Sequence, residues 1–200
     1  MGSLKSLSAD DDPPVTHYRL GDETSAFYAE FVTPLIGGGG RWEKSSQHTA
    51  EISGVTAQKL RHLEILLIEP WSIKLPPGFA GVLGKSANVR VANAVCYIAQ
   101  KMLINEKRKS ADRAKDVLYI HDTVELLGSS LDELRTLWQK SIRPNLAVSV
   151  SRRVEKLSTD LFAEVTDDTR EAAVVAAGRN LPPETIRLLC EIGLREIFGG

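Results

Sequence analysis

Cysteine is scarce in this chain: two in 200 residues, Cys96 and Cys190, far apart and each in an apolar stretch. That argues against a disulfide scaffold and fits buried thiols in a reducing compartment. No CxxC or HxxxH spacing occurs, which removes the usual signature of structural zinc. An excess of charge of one sign is also lacking, since 25 basic side chains face 26 acidic ones. Whole-molecule charge therefore directs the chain to neither nucleic acid nor a membrane surface, and only a local patch could do so. No apolar run reaches the length of a membrane span. Met1 to Lys5 lacks the apolar core of a signal peptide, so the cytoplasm is the expected location. What is present is an ordinary globular composition, 42% hydrophobic and 26% charged, enough for one domain with a helical extension.

The pattern along the chain divides it in three. Residues 1–14 are polar, end in Asp10-Asp11-Asp12-Pro13-Pro14, and read as a flexible lead-in. Residues 15–92 read as a small α/β piece. Val15–Leu20 and Phe27–Leu35 are expected strands, joined as a hairpin by the turn chemistry of Asp22 to Ser25. Gly37 to Gly40 reads as a mobile hairpin tip, because it lacks the Gly-Lys-Ser/Thr ending of a phosphate loop. The spacing of Val55, Leu60, Leu63, Leu66 and Leu67 predicts a helix over 55–67, with Lys59, Arg61 and His62 on a solvated basic face. Trp71–Leu75 and Val89–Val91 are expected strands. Residues 93–200 read as helices over about 94–108, 111–127, 131–142, 146–165, 168–178 and 183–198. Asn93 and Ser110 are candidate N-caps, Ser130 with Glu133 resembles a capping box, and Pro182-Pro183 opens the last helix. Trp71 and Trp138 read as core residues; Trp42, in a polar loop, is a loop anchor or a stacking platform.

The segment from Asn93 to Leu127 carries the most chemistry. An apolar helix bears Lys101, a basic elbow follows with Lys107, Arg108, Lys109, Arg113 and Lys115, and a second helix bears Asp116, His121 and Asp122. Two helices meeting at such an elbow can present several cations to one anion, and charge-assisted bonds to phosphate oxygens are strong ones. The plainer alternative is a solvated elbow, with Asp116 a structural partner of Arg113 or Lys109 and His121 a satisfied core or surface histidine.

The run Ala99-Gln100-Lys101, Arg108 and Ala114-Lys115-Asp116, with the upstream strings FYAEFVTPL and GVTAQKLRHLEILLIEPW, resembles bacterial nucleotidyltransferase-fold proteins. That group includes the minimal nucleotidyltransferases and the abortive-infection toxin type. The resemblance covers most of residues 15–140. It implies an α+β fold, with a partial mixed sheet of nucleotidyltransferase type followed by a helical C-terminal region. It also implies transfer of a nucleoside monophosphate from a nucleoside triphosphate such as ATP to an unknown acceptor. Lys101 and Asp116 would be catalytic, Lys101, Arg108 and Arg113 would bind nucleotide, and Glu30 would assist a Mg²⁺ ion.

The family's Gly-Ser turn and Asp-x-Asp strand have no convincing counterpart. Gly2-Ser3 and Asp10-Asp11-Asp12 imitate them, but only six residues separate Ser3 from Asp10 and the aspartates run into Pro13-Pro14. This favours a C-terminal portion of the family protein, with a missing N-terminal segment. A truncated sheet invites homo-oligomers or pairing with that segment. The alternative reading is a non-catalytic nucleotide- or partner-binding protein of the same fold. A nucleic-acid module built on the elbow is disfavoured by the balanced charge and by the absence of interleaved aromatics at 107–115.

Overall fold

The computed structural model describes residues 5–8, 16–20, 27–35, 49–52, 55–78 and 84–199, with side chains from Ala29 onward. The Asp10 to Asp12 run, the turn at Asp22 to Ser25, the glycines 37–40 and Trp42 lie outside the described residues. The chain divides into two compact units, Met1–Glu64 and Ile65–Gly200. The sequence boundary at 92/93 marks instead the point where strands give way to helices.

Among the described residues the first unit holds two three-stranded sheets. In one, β1 (Lys5–Ser8), β2 (Thr16–Leu20) and β3 (Phe27–Glu30) pair antiparallel in chain order. The expected pairing of the second and third holds, with His17 opposite Glu30. Lys5–Ser8, read as part of a flexible lead-in, is instead an edge strand hydrogen-bonded to β2. The second sheet is mixed, in the order β4 (Val32–Pro34), β6 (Val55–Leu60), β5 (Thr49–Ile52). β4 runs parallel to β6 and β5 antiparallel to it. The expected strand over 27–35 is therefore two strands divided at Phe31, each serving a different sheet.

The helix expected over 55–67 does not form. Val55–Leu60 is the central strand of the mixed sheet, bonded on both sides, with Ala57 buried. Pairing along two edges outweighs the leucine spacing, which was a weak signal beside the β-branched Val55-Thr56 start. A turn follows in which His62 takes φ 59°, and only Leu63–Leu67 is helical, as a short 3₁₀ segment with Ile65 buried. Lys59 accordingly sits on a strand and Arg61 and His62 in a turn, not on a helical face.

The second unit opens with an antiparallel ribbon, β7 (Trp71–Leu75) with β8 (Ala87–Val91). Six α-helices follow among the described residues, with short 3₁₀ and π segments between them: α1 (Ala94–Ile104), α2 (Ser110–Leu126), α3 (Leu131–Leu137), α4 (Val148–Asp160), α5 (Asp167–Val175) and α6 (Pro183–Phe198). The overall class is α+β with a helical C-terminal region, as the sequence implied.

The core of this unit is built by the apolar faces of α1, α2 and α6. Val95, Ile98, Met102, Ile120, Val124, Leu194 and Ile197 are sealed from solvent. Trp138 packs edge-on against Phe198 with ring centroids 5.0 Å apart, as expected of a core tryptophan. Trp71, expected in the core too, is 41% exposed. Gly193 lets α6 approach α2 so closely that a Cβ there would meet Val124 Cγ1 at 2.3 Å.

The caps sort by hydrogen bonding. Asn93 caps α1, its side-chain oxygen accepting from Cys96 N at 2.9 Å while its amide donates to the carbonyls of Ile68 and Glu69. That one buried residue ties the start of α1 to the turn before β7. Ser110 is instead the first residue of α2 and donates to Glu171 at 2.7 Å. Ser130 makes no capping bond, and the reciprocal box lies at Thr166 and Thr169, opening α5. Pro183 occupies the first turn of α6, where its missing N–H is harmless. No helix among the described residues is long and apolar enough to cross a membrane.

Candidate functional site

α1 and α2 face each other across the elbow, and their polar edge is organised by one carboxylate. Asp116, in the first half of α2, is completely buried. Lys101, in the last turn of α1, donates to its Oδ1 at 2.7 Å. Arg108, at the elbow, donates from Nε to Oδ2 at 3.1 Å, with Nη2 3.5 Å from Oδ1. Three of the five site residues expected from sequence, Lys101, Arg108 and Asp116, thus form one cluster, and the partner of Asp116 is neither Arg113 nor Lys109.

Two cations share one anion here, so the cluster keeps one formal positive charge. An ammonium carries three donors and a guanidinium five, so hydrogen-bonding capacity remains on both after Asp116 is satisfied. The Lys101 side chain is 13% exposed and that of Arg108 38%, which leaves the surplus charge within reach of a ligand. Tyr97 and Tyr119 complete the setting. The Lys101 ammonium lies 5.5 Å and 5.0 Å from their ring centroids, inside the range of cation–π attraction. Burial, followed by the neighbouring Tyr119 and Asp116, pushes the Tyr97 phenol above its usual range and keeps it neutral.

Arg113 has a different position from the other two. Its Nε donates to both oxygens of Asp168 on α5, at 3.0 and 2.9 Å, and its Nη1 donates to the Arg108 carbonyl at 3.1 Å. Its charge is therefore matched, and its contact with the elbow holds the Arg108 backbone. Lys115 is 3.9 Å from Asp112, and Lys107 and Lys109 are exposed. Glu30 ends β3 in the first unit with its side chain exposed.

A second polar group lies further along α2. His121 is buried, its Nδ1 2.9 Å from Asp122 Oδ1, and its Nε2 has no hydrogen-bond partner. His121, Asp122 and Glu125 could offer ligand atoms within 4.8 Å of one another. The Arg179 guanidinium already takes both Asp122 oxygens, at 2.9 and 2.7 Å, and lies 3.5 Å from Glu125. The Arg179 guanidinium thus already balances these carboxylates and competes with any metal ion for the same oxygens. Arg179, first, and His121 hold the Asp122 carboxyl below its ordinary range. Sequence spacing could not reveal this pairing, because Arg179 joins it from 57 residues away.

Residues 5–143 match the family model described as Nucleotidyltransferase. The chain belongs to that family. The match takes in both sheets of the first unit, the ribbon, and the Lys101–Arg108–Asp116 cluster. No curated protein and no solved structure matches the chain.

Proposed function

We propose that the cluster of Lys101 and Arg108 on Asp116 is the triphosphate-binding arm of a nucleotidyltransferase. The reaction would be transfer of a nucleoside monophosphate from a nucleoside triphosphate to an acceptor, with pyrophosphate leaving. The observation that carries this reading is the charge count: two cations, both partly open to solvent, stand against a single buried carboxylate. Such a cluster is prearranged for an anion. Its donors are held in place before the ligand arrives, so little reorganisation is needed when charge builds on the leaving pyrophosphate.

In this reading Asp116 is a positioning residue. It fixes Lys101 and Arg108 on one side so that their remaining donors point elsewhere. Arg113 acts one step further back, by holding the Arg108 carbonyl. As the family resemblance implies, Glu30, in the first unit, would serve as a hard oxygen ligand for a divalent ion. Mg²⁺ is commonly bound through one or two carboxylates completed by phosphate oxygens and water, so this single carboxylate would supply part of its shell.

The test is a thermal-shift titration with ATP, GTP, CTP and UTP, with and without Mg²⁺, followed by an assay for pyrophosphate release. A ligand that binds the folded state alone stabilises it by about 2.7 kcal/mol at one hundred times its dissociation constant. The reading expects a nucleotide-dependent shift that Lys101→Met removes, and, as a separate expectation for Glu30, a shift with Mg²⁺ alone that Glu30→Gln removes. A shift with no release of pyrophosphate under any condition would favour a nucleotide-binding role without transfer. No shift with any nucleotide would reject the site.

A further inference from the structure

Beside the cation cluster lies an open groove of about 330 Å³, inside the size range of small-ligand sites. Its walls include Trp71, Tyr97, Tyr119 and Leu126, and its polar groups are Asp122 and Thr123. The chain has 3 Trp, 4 Tyr and 5 Phe, yet three of these twelve aromatics meet here. Two are widely exposed, Trp71 at 41% and Tyr119 at 46%. Exposed rings gathered in one groove are more than scattered surface hydrophobics, which occur singly and need no explanation.

The groove and the cluster share walls. Tyr97 and Tyr119, which line the groove, are also the rings that flank the Lys101 ammonium. A ligand spanning both would have a flat apolar part at one end and an anionic part at the other. The polar groups of the groove add a preference. Thr123 Oγ1 donates its proton to the Tyr119 carbonyl at 2.7 Å, so what it offers a ligand is lone pairs. Asp122 is a carboxylate held ionised by Arg179; Arg179 and His121 both engage its Oδ1, so the acceptor it still offers is the remaining lone pair of Oδ2.

We infer that this groove receives the base of the nucleoside triphosphate, stacked on Trp71 and Tyr119, and that its acceptors favour bases bearing an amino group. The inference rests on the proposed triphosphate site and deepens it. Adenine, cytosine and guanine each present an exocyclic amine to Asp122 and Thr123. Uracil has none: its edge offers a single ring donor, N3–H, set between two carbonyl oxygens that would crowd the carboxylate.

Calorimetric titration of the whole chain with ATP, UTP and inorganic tripolyphosphate separates the two claims. Wild type should bind ATP more tightly than tripolyphosphate or UTP. Trp71→Ala should weaken ATP roughly five- to hundredfold, the range expected for lost base stacking, and leave tripolyphosphate unchanged, while Tyr119→Ala, whose ring also flanks Lys101, should weaken ATP at least as much. Tyr119→Phe keeps the ring and should bind ATP like wild type, which guards against a folding defect. If both alanine variants bind ATP as wild type does while Lys101→Met does not, the groove assignment is overturned and the phosphate site stands. Equal loss of ATP and tripolyphosphate in Trp71→Ala would also overturn it, because that ring would then serve the phosphate site rather than a base. If wild type binds neither ATP nor tripolyphosphate, the phosphate site fails and the groove assignment fails with it.

Discussion

The Lys101 ammonium and the Asp116 carboxylate meet at 2.7 Å, and Asp116 has no exposure to solvent at all. The two partners are not symmetric in what their loss would do. Removing Asp116 leaves two cations without a counter-charge at the edge of the core. Removing Lys101 leaves Asp116 still held by Arg108. Loss of one member of a buried ion pair costs about 3–5 kcal/mol, and Asp116→Ala should fall toward the lower end because Arg108 can rehydrate. Lys101→Met should cost clearly less. Chemical denaturation of both variants checks the order, and a reversed order would mean that the carboxylate is not the centre of the cluster.

Acid stability should depend on Asp122 and Glu191. Both carboxyls are held below their ordinary values, Asp122 chiefly by Arg179 and Glu191 chiefly by Arg187. A depressed carboxyl contributes stability that is present above its unfolded value and is lost as pH falls through its folded value. The loss therefore belongs below the ordinary 3.8 of Asp122 and 4.5 of Glu191. Melting curves from pH 7 down to 2 should show Arg179→Ala closing its gap to wild type at the acid end. A gap that stays constant across this range would exclude the Arg179 pairing as its source.

Gly193 is required by packing. The Cβ of Gly193→Ala would meet Val124 at 2.3 Å, and Val124 is itself buried, so the side chain has little room to withdraw. Overpacking of this kind costs about 1–3 kcal/mol even though alanine is the better helix former. The double variant Gly193→Ala with Val124→Ala should recover part of the loss in a denaturation series. No recovery would place the strain elsewhere.

The two thiols should be silent in the folded protein. Cys96 and Cys190 are both free and fully buried. Burial pushes the Cys96 thiol up to about 11 and that of Cys190 higher still. Since the thiolate is the reactive form, a thiol reagent at pH 8 should label neither at a rate above that of unfolding. Rapid labelling of one equivalent would contradict the burial.

The helical unit was largely legible in sequence because its apolar periodicity is long and regular, and Asn93 and Pro183 mark their helices by ordinary capping chemistry. The sheets were less so. Leu60, Leu63 and Leu67 carry helical spacing, yet Val55–Leu60 is claimed by strands on both sides, a long-range pairing that no local pattern encodes. At the site, Lys101, Arg108 and Asp116 could be singled out, but not their mutual contacts. Whether Arg113 joins them depended on Asp168, 55 residues away. The groove was missed because Trp71 begins an apolar strand and so looked like core, while its exposure is set by what packs around it.

Titration with inorganic tripolyphosphate tests, without involving any base, the proposal that Lys101 and Arg108 hold surplus positive charge for a polyphosphate. Charge-assisted hydrogen bonds contribute about 1.5–3 kcal/mol, so Lys101→Met and Arg108→Ala should each weaken binding roughly ten- to hundredfold while Arg113→Ala stays closer to wild type. Equal affinity in wild type, Lys101→Met and Arg108→Ala would return the cluster to a purely structural ion network.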